Sequence, residues 1–484
     1  MARRCCWWLF IFGVLMLTAC QRVQRFSAPA KPTLAKADEK DAEELRYLYR
    51  LSWVEPREKH DLPILFVPDT SPEWQNLKGY WNALPFSAGM PTAHLGLAPM
   101  PALAALVFTE HHAAIKIKVP LGLPDPTEYF PKSNPPSLGK WQLGKELFHE
   151  RQLQAEQGPY SCATCHKPEF GFAERASVSE RGRYNTLSLI NVAYNRRQFW
   201  DGRVETLEET LVRGLIDERA EDPKRSEKAL QHHNWGGFVR ALSATKRYNE
   251  KFQRAFGLRP NDHPTQDTVA QALATYMRTI LSGDSLYDRA NQIRKDKNAT
   301  LTGEHFLVPL QDDRLAALLN DDQEKKVTRE QMSAMLARGY ELFNNKARCV
   351  RCHWGPLFTD HDYHNVGYEG MEAQPDIGKE TGRAAHVPVG LKESRLIGAF
   401  RTPSLRNLTN TGPYFHNGTH YTLDQVVEFY DDEVQWTPHL AKALKDGDEA
   451  RKLKLTPAEK DALVMFLRAL EGTPVDPIVM KVER

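Results

Sequence analysis

An excess of charge of either sign is missing from this sequence. Lys and Arg number 64 against 62 Asp and Glu, so there is no basic field to hold nucleic acid and no acidic tail. A membrane-spanning run is missing too. The apolar stretch from Cys5 to Ala19 has fifteen residues, short of the roughly 20 that a helix needs to cross a bilayer. Few stretches alternate as strands do, so the class is mainly α. At 484 residues the chain is too long for one compact core, leaving room for two domains and extensions.

The short apolar run follows Arg3 and Arg4 and gives way at once to Gln21, the layout of a secretory signal. It ends Leu17-Thr18-Ala19-Cys20, which resembles the bacterial lipobox. That resemblance implies cleavage before Cys20, acylation of Cys20, and attachment of an exported, periplasm-facing protein to the membrane by a lipid anchor only. An ordinary cleaved signal or an uncleaved anchor is the alternative. Residues 21–41, rich in Lys, Ala and Pro, read as a tether.

Seven cysteines are present. Cys5 and Cys6 leave with the signal and Cys20 takes lipid. The other four form Cys162-Ala-Thr-Cys165-His166 and Cys349-Val-Arg-Cys352-His353, and none remains for a disulfide framework. C-x-x-C-H is the attachment signature of haem c: two thioethers reach the two vinyl positions of one porphyrin, and the next His reaches iron from the same turn. A thioredoxin-type pair needs a βαβ context, which is not visible. A zinc site needs four ligands, and the pairs lie 187 residues apart. Two covalent haems c are therefore expected, with His166 and His353 as iron ligands.

The surroundings repeat. Gly144-Lys-Glu-Leu-Phe148 precedes the first motif and Gly339-Tyr-Glu-Leu-Phe343 the second, each within a helical pattern (Leu138, Trp141, Leu147 and Phe148; Met332, Met335, Leu336 and Tyr340). An aromatic turn follows each histidine, Phe170-Gly-Phe172 and Leu357-Phe358. Near the end, Thr456-Pro457-Ala458-Glu459 combines an N-cap, Pro at the first helical position and a capping-box Glu. Leu463, Phe466, Leu467 and Leu470 then recur at helical spacing.

With these motifs the chain resembles the bacterial dihaem cytochrome c peroxidase/MauG family. The resemblance runs from about Leu138 to Leu470. It also rests on Asn185-Thr-Leu-Ser-Leu-Ile-Asn-Val-Ala-Tyr-Asn195, Gln198-Phe-Trp-Asp-Gly-Arg203, Phe400-Arg-Thr-Pro-Ser-Leu-Arg-Asn407 and Thr411-Gly-Pro-Tyr-Phe-His-Asn-Gly418. It implies two cytochrome c-like haem domains packed together behind an N-terminal extension. The expected division is a signal at 1–19, tether and extension at 20–134, a catalytic haem domain at 135–325 and an electron-transfer haem domain at 326–475.

The resemblance also assigns roles. Trp200 matches the tryptophan between the haems. Asn185, Thr411 and Pro413 match the side-chain and carbonyl ligands of one Ca²⁺, oxygen donors that suit a hard cation. A Glu after the tryptophan block serves as the distal acid–base group; Glu221 is the choice here and Glu218 the runner-up. Thr210 and Leu215 stand where the family has Gln and Pro, which weakens that alignment.

Axial ligands decide which haem reacts. No His or Met lies between His166 and His232, the interval in which peroxidases of the family carry a removable distal His. The first iron is thus expected to be open, unless His232, His233 or Met277 swings in. At the second haem the family's Met falls twelve residues beyond the glycine of the Pro-Tyr-Phe-His-x-Gly block. Counting from Gly418 gives Tyr430, the residue type MauG has, and no Met lies between Met371 and Met465. A core tyrosine is the alternative. A phenolate stabilises ferric iron where a thioether favours ferrous.

The leading expectation is reduction of hydrogen peroxide with electrons from a small cytochrome or cupredoxin. A MauG-like oxidation of Trp or Tyr on a partner protein and a non-enzymatic electron-transfer cytochrome are the rivals.

Overall fold

The computed structural model describes residues 51–53, 64–68, 113–151, 161–174, 184–214, 235–319, 327–368, 382–391 and 393–480. Helices dominate the described residues, and the fold is mainly α.

Before the first helix stands a three-stranded sheet of β1 (Leu51–Trp53), β2 (Ile64–Pro68) and β3 (Ala113–Val119), with β3 central, antiparallel to β1 and parallel to β2. The sequence expectation of few strands overlooked it. Its only signal is the alternation Ile115-Lys-Ile-Lys-Val119. Ile64, Ile117 and Val119 are buried in the same core as the helices that follow.

Two helix pairs organise the rest. Helix α1 (Leu138–His149) packs on α2 (Gln266–Met277); after α3 (Leu286–Asp296), α4 (Arg329–Asn344) packs on α5 (Pro457–Arg468). Both crossings depend on a glycine. A Cβ on Gly144 would lie 1.9 Å from the Ala272 carbonyl oxygen, and one on Gly339 2.1 Å from that of Ala462. The glycine of the repeated Gly-x-Glu-Leu-Phe motif is therefore the point of closest backbone approach in each half. The Leu and Phe that follow it, Leu147 and Phe148 or Leu342 and Phe343, are buried in the cores.

The capping expectation for α5 is met. Thr456 accepts from the Glu459 N–H at 3.3 Å, and the Glu459 carboxylate takes the Thr456 N–H at 2.9 Å. Residues 286–319, which the sequence places in the first domain, contribute Leu286, Ala290, Phe306, Leu310 and Leu315 to a core shared with Met332 and Leu336 of α4 and Met465 of α5. The two halves meet along residues 280–290. Ser282, fully buried, is held by Asn191 from one half and Asn407 from the other. There too the Arg406 guanidinium makes two bonds to the Asp288 carboxylate, 2.7 and 2.8 Å, with both side chains buried.

Two outcomes follow from this packing. Gly339→Ala should lower stability by at least the ~1–3 kcal/mol of an overpacked core, read as a fall in Tm; an unchanged Tm contradicts the close crossing. Burial disfavours the Glu208 carboxylate, but the Arg278 guanidinium, bonded to it at 2.7 and 2.8 Å, holds it below the ordinary carboxylate range. That stability is present at neutral pH and lost as pH falls through the folded-state value. Arg278→Met should cost about 3–5 kcal/mol at pH 7, with the deficit shrinking in acid.

Candidate haem and redox site

The two C-x-x-C-H segments adopt the same local geometry. Cys162–Cys165 is one helical turn and Cys349–Arg351 a 3-10 turn. In each, the histidine N–H donates to the first cysteine's carbonyl at 2.9 Å. The two sulfurs and the imidazole of each motif therefore belong to one turn. None of the four cysteines is in a disulfide, and all are half-buried. Burial pushes Cys162 and Cys349 up to about 12. A redox-active pair needs the opposite shift.

Each ring is then oriented by a carbonyl from the aromatic turn. His166 Nδ1 lies 3.0 Å from the Phe172 oxygen and His353 Nδ1 2.9 Å from the Phe358 oxygen. Phe172 and Phe358 have left-handed backbones, φ 55° and 52°, which aims those carbonyls at the rings. Burial lowers both imidazoles below their ordinary range. A neutral ring that donates through Nδ1 leaves Nε2 with its lone pair free for a metal. Beyond the rings, Ser188 Oγ donates to Gly171 O at 2.5 Å and Ser404 Oγ to Leu357 O at 2.7 Å.

Those serines belong to a longer repeat that the sequence reading missed. Residues 185–214 and 401–430 correspond at a constant offset of 216, without a gap and with eight identities. The structure repeats with them. Gln198 N–H donates to Val204 O at 2.9 Å, and Tyr414 N–H to His420 O at 2.6 Å. Phe199 and Gly202 are left-handed, as are Phe415 and Gly418. Thr206 and Thr422 each cap the next short helix, and each helix passes into a π-turn, Thr210–Gly214 and Phe429–Glu433. The overlooked signal is the shared spacing Phe-x-x-Gly-x-x-x-Thr-Leu.

The repeats face each other about an approximate twofold. Asn185 N–H donates to His416 O, and its counterpart Arg401 N–H to Trp200 O, both at 2.7 Å. Trp200 and His416, also counterparts, have ring centroids 6.4 Å apart. Trp200 is buried, and its indole N–H donates to Asn185 O at 2.8 Å. His416 stacks on Phe400 at 3.7 Å and 14°, and burial pushes it down to about 3. It is a neutral ring in a dry seam.

The other expected residues sort as follows. Tyr430 lies in the second π-turn with Phe415 and Phe429 against it. Burial raises its phenol, and the neighbouring Cys352 and Cys349 raise it further, which places it beside the second motif. Its counterpart is Gly214, with no side chain to offer. Asn185 and Pro413 come together: the Asn185 Nδ2 contacts Pro413 O and lies 3.3 Å from Phe415 O, while its buried Oδ1 has no partner. Thr411 sits two residues before Pro413, its hydroxyl turned to Asn407 O and Leu408 O at 3.3 and 3.2 Å. Met277 is buried in the first core. Cys20, Glu218, Glu221, His232, His233 and Met371 lie outside the described residues. Among the described residues, Cys352, Asp360 and His364 gather ligand atoms, but Cys352 belongs to the second motif, so they form no separate metal site.

A family model described as di-haem cytochrome c peroxidase matches residues 139–298. A cytochrome-c peroxidase of Pseudomonas sp. (strain SCT) is 30% identical over 404 residues, 78% of this chain and 92% of that one. The chain belongs to the dihaem cytochrome c peroxidase/MauG family. The methylamine utilization protein MauG of Methylophilus methylotrophus is likewise 30% identical, over 74% of this chain and 88% of its own. Among solved structures, a MauG-like protein associated with microbial copper homeostasis is 25% identical, with a TM-score of 0.53, covering 74% of this chain and 97% of that one. This dihaem family member is thus a peroxidase-like oxidoreductase with two haems.

In this seam Trp200→Phe removes the only donor that the described residues give Asn185 O. It should cost about 1–3 kcal/mol, read as a lower Tm; an unchanged Tm would contradict this bond.

Proposed function

We infer that the two halves are haem domains with divided roles. Cys162, Cys165 and His166 would hold the first haem and Cys349, Cys352, His353 and Tyr430 the second, with Trp200 between them. The leading reading is two-electron reduction of hydrogen peroxide at the first haem, with electrons from a small cytochrome or cupredoxin entering through the second. The observation that carries it is the correspondence of Tyr430 with Gly214: one repeat offers an axial oxygen where the other has no side chain. Haem supplies a redox-active iron and, where a coordination position is open, a binding place for peroxide.

The chain's own residues supply the rest. His166 and His353 are held neutral with Nε2 free. The raised Tyr430 phenol in its apolar pocket needs a neighbouring cation to ionise, which a ferric ion would provide. Glu221 remains the choice for moving the proton between the peroxide oxygens. The Asn185 amide, with Nδ2 against the Pro413 carbonyl and Oδ1 orphaned, suits a cation once reversed. Turning the amide over exchanges its N and O and brings Oδ1 into a donor set with the Thr411 and Pro413 carbonyls, the composition expected for Ca²⁺. Lipidation of Cys20 would hold the protein to the membrane facing the periplasm. Among the described residues no helix is long and apolar enough to cross a membrane.

Tyr430 also favours a second reading, MauG-like oxidation of Trp or Tyr on a partner protein, since a phenolate ligand disfavours the ferrous state that an electron relay needs. One experiment separates the two: mix the diferric protein with H₂O₂ and add either a reduced small cytochrome or candidate partner proteins. Fast oxidation of the carrier is the expected result. A long-lived oxidised protein discharged only by a protein substrate supports the second reading, and no reaction at either haem contradicts both.

Two further outcomes are expected. Tyr430→Phe should abolish the low-spin ferric EPR signal of the second haem while the first keeps its reaction with peroxide; an unchanged low-spin signal identifies another ligand. Chelation of calcium should lower Tm, by about 2.7 kcal/mol of lost stabilisation when free calcium had stood at 100 times its Kd. A chelator-insensitive Tm contradicts the calcium site.

A further inference from the structure

Beside the Trp200 seam lies a buried group of polar atoms that the reading above does not use. Residues Tyr363–His364 form β4 and Phe400–Arg401 form β5, an antiparallel pair in which Tyr363 stands opposite Arg401. Arg401 is 5% exposed and Tyr363 8%. The Arg401 Nε, the Tyr363 hydroxyl and the His361 Nδ1 are all buried without a hydrogen-bond partner. Arg401's terminal nitrogen reaches only the neutral Asn195 Oδ1, at 2.8 Å, and among the described residues it has no ion pair. Leaving a guanidinium, an imidazole and a phenol unsatisfied in one dry place costs too much to be an accident of packing.

The surrounding charge is mainly positive. Arg383 lies over the Tyr363 ring at 4.9 Å. Arg196 and Arg401 both help burial hold His361 neutral, down to about 4. Asp201, the carboxylate that faces Tyr363, is already engaged by Arg203 at 3.0 Å and His386 at 3.2 Å. Asp360, which faces His361, is likewise engaged, by His364 at 2.7 Å, so this pocket lacks a carboxylate of its own.

The strand pair is also tied to the second haem motif. Asp360 N–H donates to Cys352 O at 2.8 Å, Thr359 Oγ1 to Thr402 O at 2.7 Å, and Thr402 N–H to Asp362 O at 2.9 Å. The two propionates of a haem are carboxylates at the porphyrin edge, and burying them requires cationic donors. We propose that Arg401, His361 and the Tyr363 hydroxyl bind a propionate of the second haem. The twofold adds a parallel. Arg401's counterpart is Asn185, the residue offered to calcium, so each half would place a cation at the same position of the seam.

The proposal rests on the dihaem reading, and its test separates the two. In Arg401→Gln, the propionate keeps its negative charge without its partner, so ferric iron is favoured. The second haem's ferric/ferrous equilibrium should shift about tenfold toward ferric, about 59 mV for one electron. Its potential should also become pH-dependent as the propionate gains a proton, while Arg401→Lys recovers most of the wild-type value. Both potentials are read by spectroelectrochemistry on protein with two covalent haems per chain. Should Arg401→Gln not fold, Tyr363→Phe removes one donor alone and should shift the same haem in the same direction by less. A potential that stays in place while Tm falls, or a shift confined to the first haem, overturns the proposal. Loss of covalent haem from the wild type would instead overturn the dihaem reading.

Discussion

One hydrogen bond, made twice, organises this molecule: the histidine Nδ1 bonded to the carbonyl of a left-handed phenylalanine. It settles the tautomer and turns Nε2 outward as a free donor to metal. The rest of each half serves that geometry. A single turn joins the histidine to its two cysteines, a serine braces the aromatic turn from behind, and a glycine lets the first and last helices cross close enough to wall the pocket. Remove the glycine and the helices separate; remove the turn and the ring loses its orientation.

Duplication with divergence would account for the proposed division of labour within one fold. The 30 residues from Asn185 and the 30 from Arg401 keep their caps, left-handed positions and cross-seam bonds, because those fix the backbone. What changes is the chemistry carried on it: Trp200 against His416, Gly214 against Tyr430, Asn185 against Arg401. Each exchange breaks the symmetry where a function needs two unlike partners. In the proposed function the first would give a bridge of aromatic rings, the second an open and a filled coordination position, and the third a cation site against a fixed cation.

Much of this was legible in the chain itself because haem attachment demands adjacent residues of fixed type. The helices around Gly144 and Gly339 and the Thr456 cap each report a local constraint, and the structure returns them as expected, with each C-x-x-C-H motif folded into one turn. Trp200 and Tyr430 came from a family pattern and a residue count; the fold buries Trp200 against Asn185 and sets Tyr430 against Phe415 and Phe429. The cluster of His361, Tyr363 and Arg401 was not legible, since its members are brought together by strand pairing rather than spacing. The small N-terminal sheet was missed for a similar reason: β3 shows its alternation over a few residues only, and its partners are short and distant in sequence. Residues 286–319 show the same limit. Their helical pattern says that they are buried, but not in which core.

The central claim is that one haem is open to small ligands and the other is closed by the chain. Titration of the diferric protein with cyanide tests this most directly, with binding followed by optical and EPR spectra. The account predicts one equivalent bound per chain, at the haem attached through Cys162 and Cys165, with the second haem's spectrum unchanged. Two equivalents bound, or none, would contradict it.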